Sequence, residues 1–221
     1  MTIVPRITCE PAATVAETAQ TGLQTRKVLR QCLLDARLAI EPAARCGRDH
    51  AIVAQLKAWL TLNWPSWREA GAITSSSLHP ASAVVLGVYW AIRDEPDLRP
   101  FYDELAAAGV SLALPVVTAP DAPLQFARWD PGAVLMLDRF GIATPQTIIA
   151  VDPAALLIPC VGFNATRHRL GYGGGFYDRT LAIRQPRPLA IGIATADAAC
   201  DFIAATHDMP MDVVITEAGP A

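Results

Sequence analysis

Arg169-Leu170-Gly171-Tyr172-Gly173-Gly174-Gly175-Phe176-Tyr177-Asp178-Arg179 lies between an apolar run suited to a buried strand, residues 155–161, and a run able to form a helix, residues 176–184. Strands that alternate with helices in this way build α/β sheets. Four glycines fall within five residues. Glycine takes positive φ angles and lets a ligand approach without a Cβ in the way. Successive exposed N–H groups in such a loop form a concave anion site, and the N-terminus of the following helix adds partial positive charge there. Arg169 and Arg179 can bracket a phosphate, while Asp178 can hold a divalent cation against it. The combination reads as a nucleoside triphosphate site, with a plain glycine-rich turn as the alternative. It is neither of the two common phosphate loops. A Walker A loop needs Lys followed by Ser or Thr where Phe176-Tyr177 stand, and the glycines do not keep the G-x-G-x-x-G spacing of a dinucleotide fingerprint.

Working outward, further apolar runs suited to strands cover residues 83–89, 110–117, 189–194 and 213–215, with a shorter antiparallel candidate at Gln125–Trp129. Helical stretches at 98–108, 176–184 and 196–204 separate some of them. Two more helices are expected near the start: residues 23–40, where Leu29, Leu33, Leu34 and Leu38 recur at helical spacing, and residues 50–62. Strands apolar throughout favour a largely parallel sheet covered on both sides. The expected fold is α/β: a single-domain, open, mostly parallel sheet with helices on both faces, Rossmann-like and three-layered. Residues 1–21 lack a sustained period and are expected to be a disordered tail, leaving 22–221 as the domain. In such sheets ligands bind beyond the carboxyl ends of the strands.

The chain has 221 residues, 18 Lys plus Arg against 21 Asp plus Glu, and a formal net charge of −3. That balance argues against a nucleic-acid partner, and no apolar run is long enough to span a bilayer. Cys9, Cys32, Cys46, Cys160 and Cys200 are odd in number, scattered and without C-x-x-C spacing. They read as reduced thiols of a cytoplasmic protein rather than a disulfide framework or a zinc site. With no coiled-coil seam, a monomer is expected.

The run Ile158-Pro159-Cys160-Val161-Gly162-Phe163-Asn164, followed by 169–179, resembles the signature of the 5-formyltetrahydrofolate cyclo-ligase family, also called 5,10-methenyltetrahydrofolate synthetases. The similarity extends from about Arg26 to Glu217, through Tyr89-Trp90 and Glu95-Pro96-Asp97, Leu114-Pro115, residues 141–145, and His207-Asp208-Met209-Pro210. The resemblance implies ATP- and Mg²⁺-dependent closure of 5-formyltetrahydrofolate to 5,10-methenyltetrahydrofolate, with release of ADP and phosphate. It implies ATP contacts from Arg26, Lys27 and Arg30 on the first helix and from Arg169, Leu170, Gly171, Tyr172, Gly173, Gly174, Gly175, Phe176 and Tyr177. It places folate on Trp90 and Glu95, Mg²⁺ on Asp178 and Asp208, and the chemistry among Arg169, Tyr177 and Asp178. Arg26, Arg30 and Arg37 fall within about 40° of one another on a helix and form a basic stripe; a solvated helix face is the plain alternative. The resemblance assigns no part to Arg37.

Several positions depart from the family pattern: Arg26 for lysine, Ala91 for proline, Asp94 for glycine, Asn164 for aspartate, Arg167 for glycine and Phe176 for tyrosine. Asp94 adds a carboxylate beside Glu95 and is expected to disturb its ionisation. These departures keep open two other functions: a non-catalytic protein that binds a reduced folate, and an ATP-dependent kinase or ligase for another small molecule.

Overall fold

The computed structural model describes residues 15–72, 85–138 and 141–221, with side chains from Thr25 to Asn63 in the first segment. The strands are β1 (Val85–Gly87), β2 (Ser111–Val116), β3 (Gln125–Trp129), β4 (Leu135–Leu137), β5 (Ala143–Pro145), β6 (Ala150–Val151), β7 (Ala155–Pro159), β8 (Gly162–Phe163), β9 (Arg169–Leu170), β10 (Leu189–Ile193), β11 (Val213–Thr216) and β12 (Gly219–Pro220). The helices are α1 (Val15–Leu38), α2 (Pro42–Ala72), α3 (Arg99–Ala107) and α4 (Phe176–Ile183).

Eight strands form one sheet in the order β12-β11-β10-β7-β1-β2-β3-β6. The pairs from β11 through β2 are parallel, and β12, β3 and β6 join antiparallel at the two edges. Successive strand side chains point to opposite faces, and here both faces are apolar. Leu112, Leu114, Leu157, Ile191 and Ile193 meet Ile52 and Leu56 of α2 and Phe101, Tyr102 and Leu105 of α3. Ala113, Leu156, Ile158 and Ala190 meet Leu181 of α4 together with Phe163 and Met211. Each large aliphatic side chain contributes roughly 1.5–3 kcal/mol on burial, so neither face can be left to water. The three-layer α/β domain expected from the strand composition is the one observed.

β1 is flanked by β2 on one side and β7 on the other. The strand order therefore reverses between β1 and β7, which opens a crevice beyond their carboxyl ends. α1 lies across this edge, and its approach is set at Gly162. A Cβ there would stand 2.7 Å from Leu33 Cδ1, 2.8 Å from Cys200 Sγ and 3.1 Å from the Ala198 carbonyl oxygen.

Three expectations need correction. α1 begins at Val15, inside the stretch read as a tail; residues 1–14 lie outside the described residues. α1 does not simply bury its leucines: Leu38 is 61% exposed, whereas Arg37 is 7% exposed. The strand ends beneath the helix present carbonyl groups that need donors, which leucine lacks. The helix expected over 196–204 is only a 3₁₀ turn, Ala196–Ala198. The Cys200 N–H donates to the Phe163 carbonyl, and Ala199 bridges Phe163 in parallel register. Tertiary pairing thus overrides the helical propensity of this alanine-rich run.

Gly162→Ala is expected to lower stability by about 1–3 kcal/mol through overpacking, because the Ala198 carbonyl is backbone and must itself move. Urea denaturation measures this; an unchanged midpoint would show that α1 is not seated by this contact.

Candidate active site

The crevice is a cleft of about 780 Å³. Its walls include every residue to which the family resemblance gave a role: Arg26, Lys27 and Arg30, Trp90 and Glu95, the run from Arg169 to Asp178, and Asp208.

The glycine loop forms one wall. Gly173 (φ 98°) and Gly175 (φ 63°) both adopt left-handed backbone, which side chains resist. Gly175 immediately precedes α4, whose first turn carries Asp178. Arg30 Nε donates to the Gly171 carbonyl at 2.5 Å, and its guanidinium lies over Gly173. Among the described residues Arg30 has no carboxylate in ion-pairing range. Burial, then the nearby charge of Arg26, lowers the Arg30 pKa. A cation with a depressed pKa beside a loop of N–H donors is a place prepared for an anion.

Arg179 is a correction. It is absent from the cleft lining and reaches behind the loop, donating to the carbonyls of Gly174 and Ala122. On a helix it points about 100° away from Asp178. Of the two arginines expected to bracket a phosphate, Arg169 lines the cleft and Arg179 does not; Arg26 and Arg30 of α1, also expected there, line it as well. Arg169 is buried and ties two loops together: Nη2 pairs with Asp178 Oδ2 at 2.9 Å, and Nη1 donates to the Met209 carbonyl at 3.2 Å.

Asp178 and Asp208 stand on the same cleft. Asp178 Oδ1 accepts from the Met209 N–H at 2.9 Å. Asp208 pairs with Arg26 and accepts from the Ala205 N–H at 2.7 Å. Burial works to raise the Asp208 pKa, but these hydrogen bonds outweigh it and hold the carboxyl below its ordinary value. Among the described residues no group of three or more His, Cys, Asp and Glu could hold a metal by itself. Two carboxylates on one cleft nevertheless fit Mg²⁺, which takes one or two carboxylates and completes its shell with water and phosphate oxygens.

The opposite wall is aromatic. Trp90 packs edge-on to Trp129 at 6.0 Å, and the guanidinium of Arg99 lies 5.1 Å from its ring centre. Tyr89 donates to the Pro96 carbonyl at 2.6 Å, which fixes the turn carrying Glu95. Arg93 and Asp94 both have left-handed φ, 49° and 58°. Asp94 does not act on Glu95 as expected, because its carboxylate turns to α2 and pairs with Arg45. Burial is instead what pushes the Glu95 carboxyl up to about 7, against the Ile92 N–H, the Tyr172 hydroxyl, Arg37 and Arg93, which pull it down. Arg93 and Tyr89 line the cleft and were not singled out from the sequence; their only sequence signal is position, beside Trp90 and Glu95. Asn164, one of the departures named above, donates from its amide to the Phe202 carbonyl, a bond a carboxylate cannot make.

Residues 23–217 match the model of the 5-formyltetrahydrofolate cyclo-ligase family. A 5-formyltetrahydrofolate cyclo-ligase from Mycolicibacterium smegmatis is 29% identical over 205 residues, covering 87% of this chain and 94% of that protein. Two solved structures share the fold at 24% identity. A 5,10-methenyltetrahydrofolate synthetase from Mycoplasma pneumoniae has a TM-score of 0.67, covering 87% of this chain and 98% of that one. The other, from Aquifex aeolicus, has a TM-score of 0.68, covering 88% and 91%. With most of its length matched, the chain belongs to the 5-formyltetrahydrofolate cyclo-ligase family and is an enzyme of the ligase class.

Glu95 carries a pH prediction. The folded state keeps the proton from the ordinary carboxyl value of 4.5 up to about 7, whereas the unfolded chain has already released it. Stability contributed by this group is therefore lost as pH rises through that window. At about 1.4 kcal/mol per tenfold in the protonation equilibrium, the loss is about 3 kcal/mol. Glu95→Gln keeps the shape without titrating, so the stability gap between wild type and variant should move by this amount between pH 4.5 and 7. Parallel curves would place the carboxyl in water.

Proposed function

We propose that this chain closes 5-formyltetrahydrofolate to 5,10-methenyltetrahydrofolate at the expense of ATP, with Mg²⁺, in the cleft between the glycine loop and the Trp90–Glu95 wall. The observation that carries the reading is the pairing of Arg30, unneutralised, with the left-handed glycine loop on one wall and a buried carboxylate beside an aromatic ring on the other. One wall suits a triphosphate; the other suits a flat, hydrogen-bonding heterocycle.

The chemistry follows from a poor leaving group. A formamide oxygen does not depart unaided, so it must first be converted into a phosphate. The formyl oxygen attacks the γ-phosphorus, the bond to ADP breaks, and an iminium phosphate forms. N10 then attacks the activated carbon, the carbon–oxygen bond breaks, phosphate leaves with the former formyl oxygen, and the N10 proton passes to solvent. No covalent enzyme intermediate is required, so catalysis rests on alignment and charge neutralisation. Arg26, Arg30 and the amides of residues 171–175 hold the phosphates, Lys27 adds charge at the rim, and Tyr177 and Phe176 line the nucleotide end. Trp90 stacks on the pterin and Glu95 accepts its N–H groups. Asp178 and Asp208 would hold Mg²⁺, which when bound neutralises charge on the phosphate oxygens. Arg169 and Arg26, now paired with those carboxylates, become free to turn to phosphate. Because one chain supplies every group, a monomer is sufficient. No described helix is long and apolar enough to cross a membrane.

The direct assay follows methenyltetrahydrofolate absorbance from 5-formyltetrahydrofolate, with Mg-ATP present, omitted, or with the metal chelated. A rise only in the complete mixture is expected; folate binding without any rise would identify a sequestering protein instead. Asp178→Asn keeps the acceptor for the Met209 N–H and should fold normally while turnover drops about a hundredfold, the scale of losing one charge-stabilising group. Wild-type turnover would exclude the metal role. Arg30→Ala should raise the KM for ATP about tenfold, the worth of one charged hydrogen bond, and leave that for folate near its starting value. Equal changes in both would remove Arg30 from the phosphate site.

A further inference from the structure

Asn164 does not line the cleft, yet it joins two of the segments that build it. It closes the antiparallel β8–β9 hairpin, whose second strand runs directly into the glycine loop. Its Oδ1 accepts from the Thr166 N–H at 3.1 Å, the Thr166 hydroxyl at 2.9 Å and the His168 N–H at 2.9 Å. Accepting from two N–H groups is something an amide NH₂ cannot do, so the orientation of the side chain is fixed. Nδ2 therefore faces out of the hairpin, and it donates to the Phe202 carbonyl at 3.1 Å.

The segment it meets carries Asp208. That segment leaves the hairpin at Cys200, whose N–H donates to the Phe163 carbonyl at 2.8 Å. Residues 201–204 then belong to no helix or strand. Two side chains hold carbonyls there: Asn164 that of Phe202 and Arg26, through Nε at 3.2 Å, that of Ile203. Immediately beyond, the Ala205 N–H donates to Asp208 Oδ2 at 2.7 Å and the Asp208 N–H to the Ala205 carbonyl at 3.0 Å. The placing of residues 202–205 thus sets that of the carboxylate. Of the two holders, Arg26 is the one that moves. It pairs with Asp208 and lies 5.4 Å from the centre of the Phe202 ring, and the reaction just proposed turns it to phosphate. The Ile203 carbonyl then loses its donor, and Asn164 keeps the segment in place.

We infer that Asn164 is a positioning residue that keeps Asp208 placed for Mg²⁺ while Arg26 is drawn to the phosphates, an inference resting on the roles proposed above for Asp208 and Arg26. It acts through the Phe202 carbonyl and the turn at residues 205–208, and not by contact with either ligand.

The test is calorimetry on the full chain. A non-hydrolysable ATP analogue is titrated with Mg²⁺ and again with the metal chelated, and 5-formyltetrahydrofolate is titrated alone. The ratio of the two analogue affinities isolates what the metal adds. Asn164→Asp keeps an acceptor for Thr166 and His168 and loses the donor to Phe202. It should lower that ratio about tenfold, the smaller end of what a group orienting a metal ligand is worth. The metal-free analogue and the folate should bind as they do to the wild type. Asn164→Ser also loses the reach to Phe202 but adds no charge; it should give the same fall, and it carries the test by itself if the aspartate variant does not fold. A merely structural role would weaken folate and metal-free nucleotide and leave the ratio unchanged. An unchanged ratio in either folded variant overturns the inference, as does a fall confined to the aspartate variant, which would trace to its charge. A wild type whose nucleotide affinity is indifferent to Mg²⁺ would instead overturn the metal reading of the cleft, and the role of Asn164 with it.

Discussion

Backbone carbonyls at the carboxyl edge of a parallel sheet, and in the loops beyond it, have no strand to pair with. They must find donors or water. Here one helix brings the donors. Arg26 donates to the Ile203 carbonyl, Arg30 to that of Gly171 and Arg37 to that of Cys160. Three arginines on one face of α1 thus seat the helix on the sheet edge and concentrate positive charge where the strand order reverses. Remove the close approach at Gly162 and the arginines no longer meet the glycine loop. Fold and site are therefore one constraint, because the interactions that close the edge also charge the cleft.

The second organising feature is how that charge is balanced. Arg169 pairs with Asp178 and Arg26 with Asp208, while Arg30 donates to a carbonyl oxygen and, among the described residues, meets no carboxylate. Arginines and carboxylates that partner one another in this way are the groups a metal–phosphate ligand would re-partner, cations to phosphate and carboxylates to metal. Such an exchange keeps the buried charges paired at both stages, which limits the desolvation penalty. The wall of Trp90 and Glu95 works differently. Its single carboxylate is buried, and the groups that support its charge are an N–H, a hydroxyl and two cations drawn from separate elements.

Much of this was legible in the sequence, for a physical reason in each case. The central strands carry apolar residues on both faces, so their composition announces burial; the bounds of β3, and its antiparallel direction, match the short strand expected at Gln125–Trp129. The glycine loop was legible because Gly173 and Gly175 need φ values that other residues avoid. The two- and three-residue strands β4, β5, β6, β8, β9 and β12 were not, since so short a pair carries no period. The alanine-rich run after β10 was misread because propensity cannot register the Phe163 carbonyl waiting for the Cys200 N–H. Arg179 was misplaced for a related reason: closeness in sequence to the glycines does not show which side of the loop a side chain takes. Arg37 looked like one more solvated charge until its burial beneath Tyr172 was visible.

The central claim is that one cleft holds the formyl oxygen and the γ-phosphorus in contact. A heavy-oxygen label in the formyl group of 5-formyltetrahydrofolate, followed by phosphorus NMR of the phosphate released with Mg-ATP, tests this most directly. The account predicts that every phosphate released with ring closure carries one labelled oxygen. Unlabelled phosphate appearing alongside methenyltetrahydrofolate would mean that ATP is cleaved by water, and that the two walls of the cleft do not act on each other's ligands.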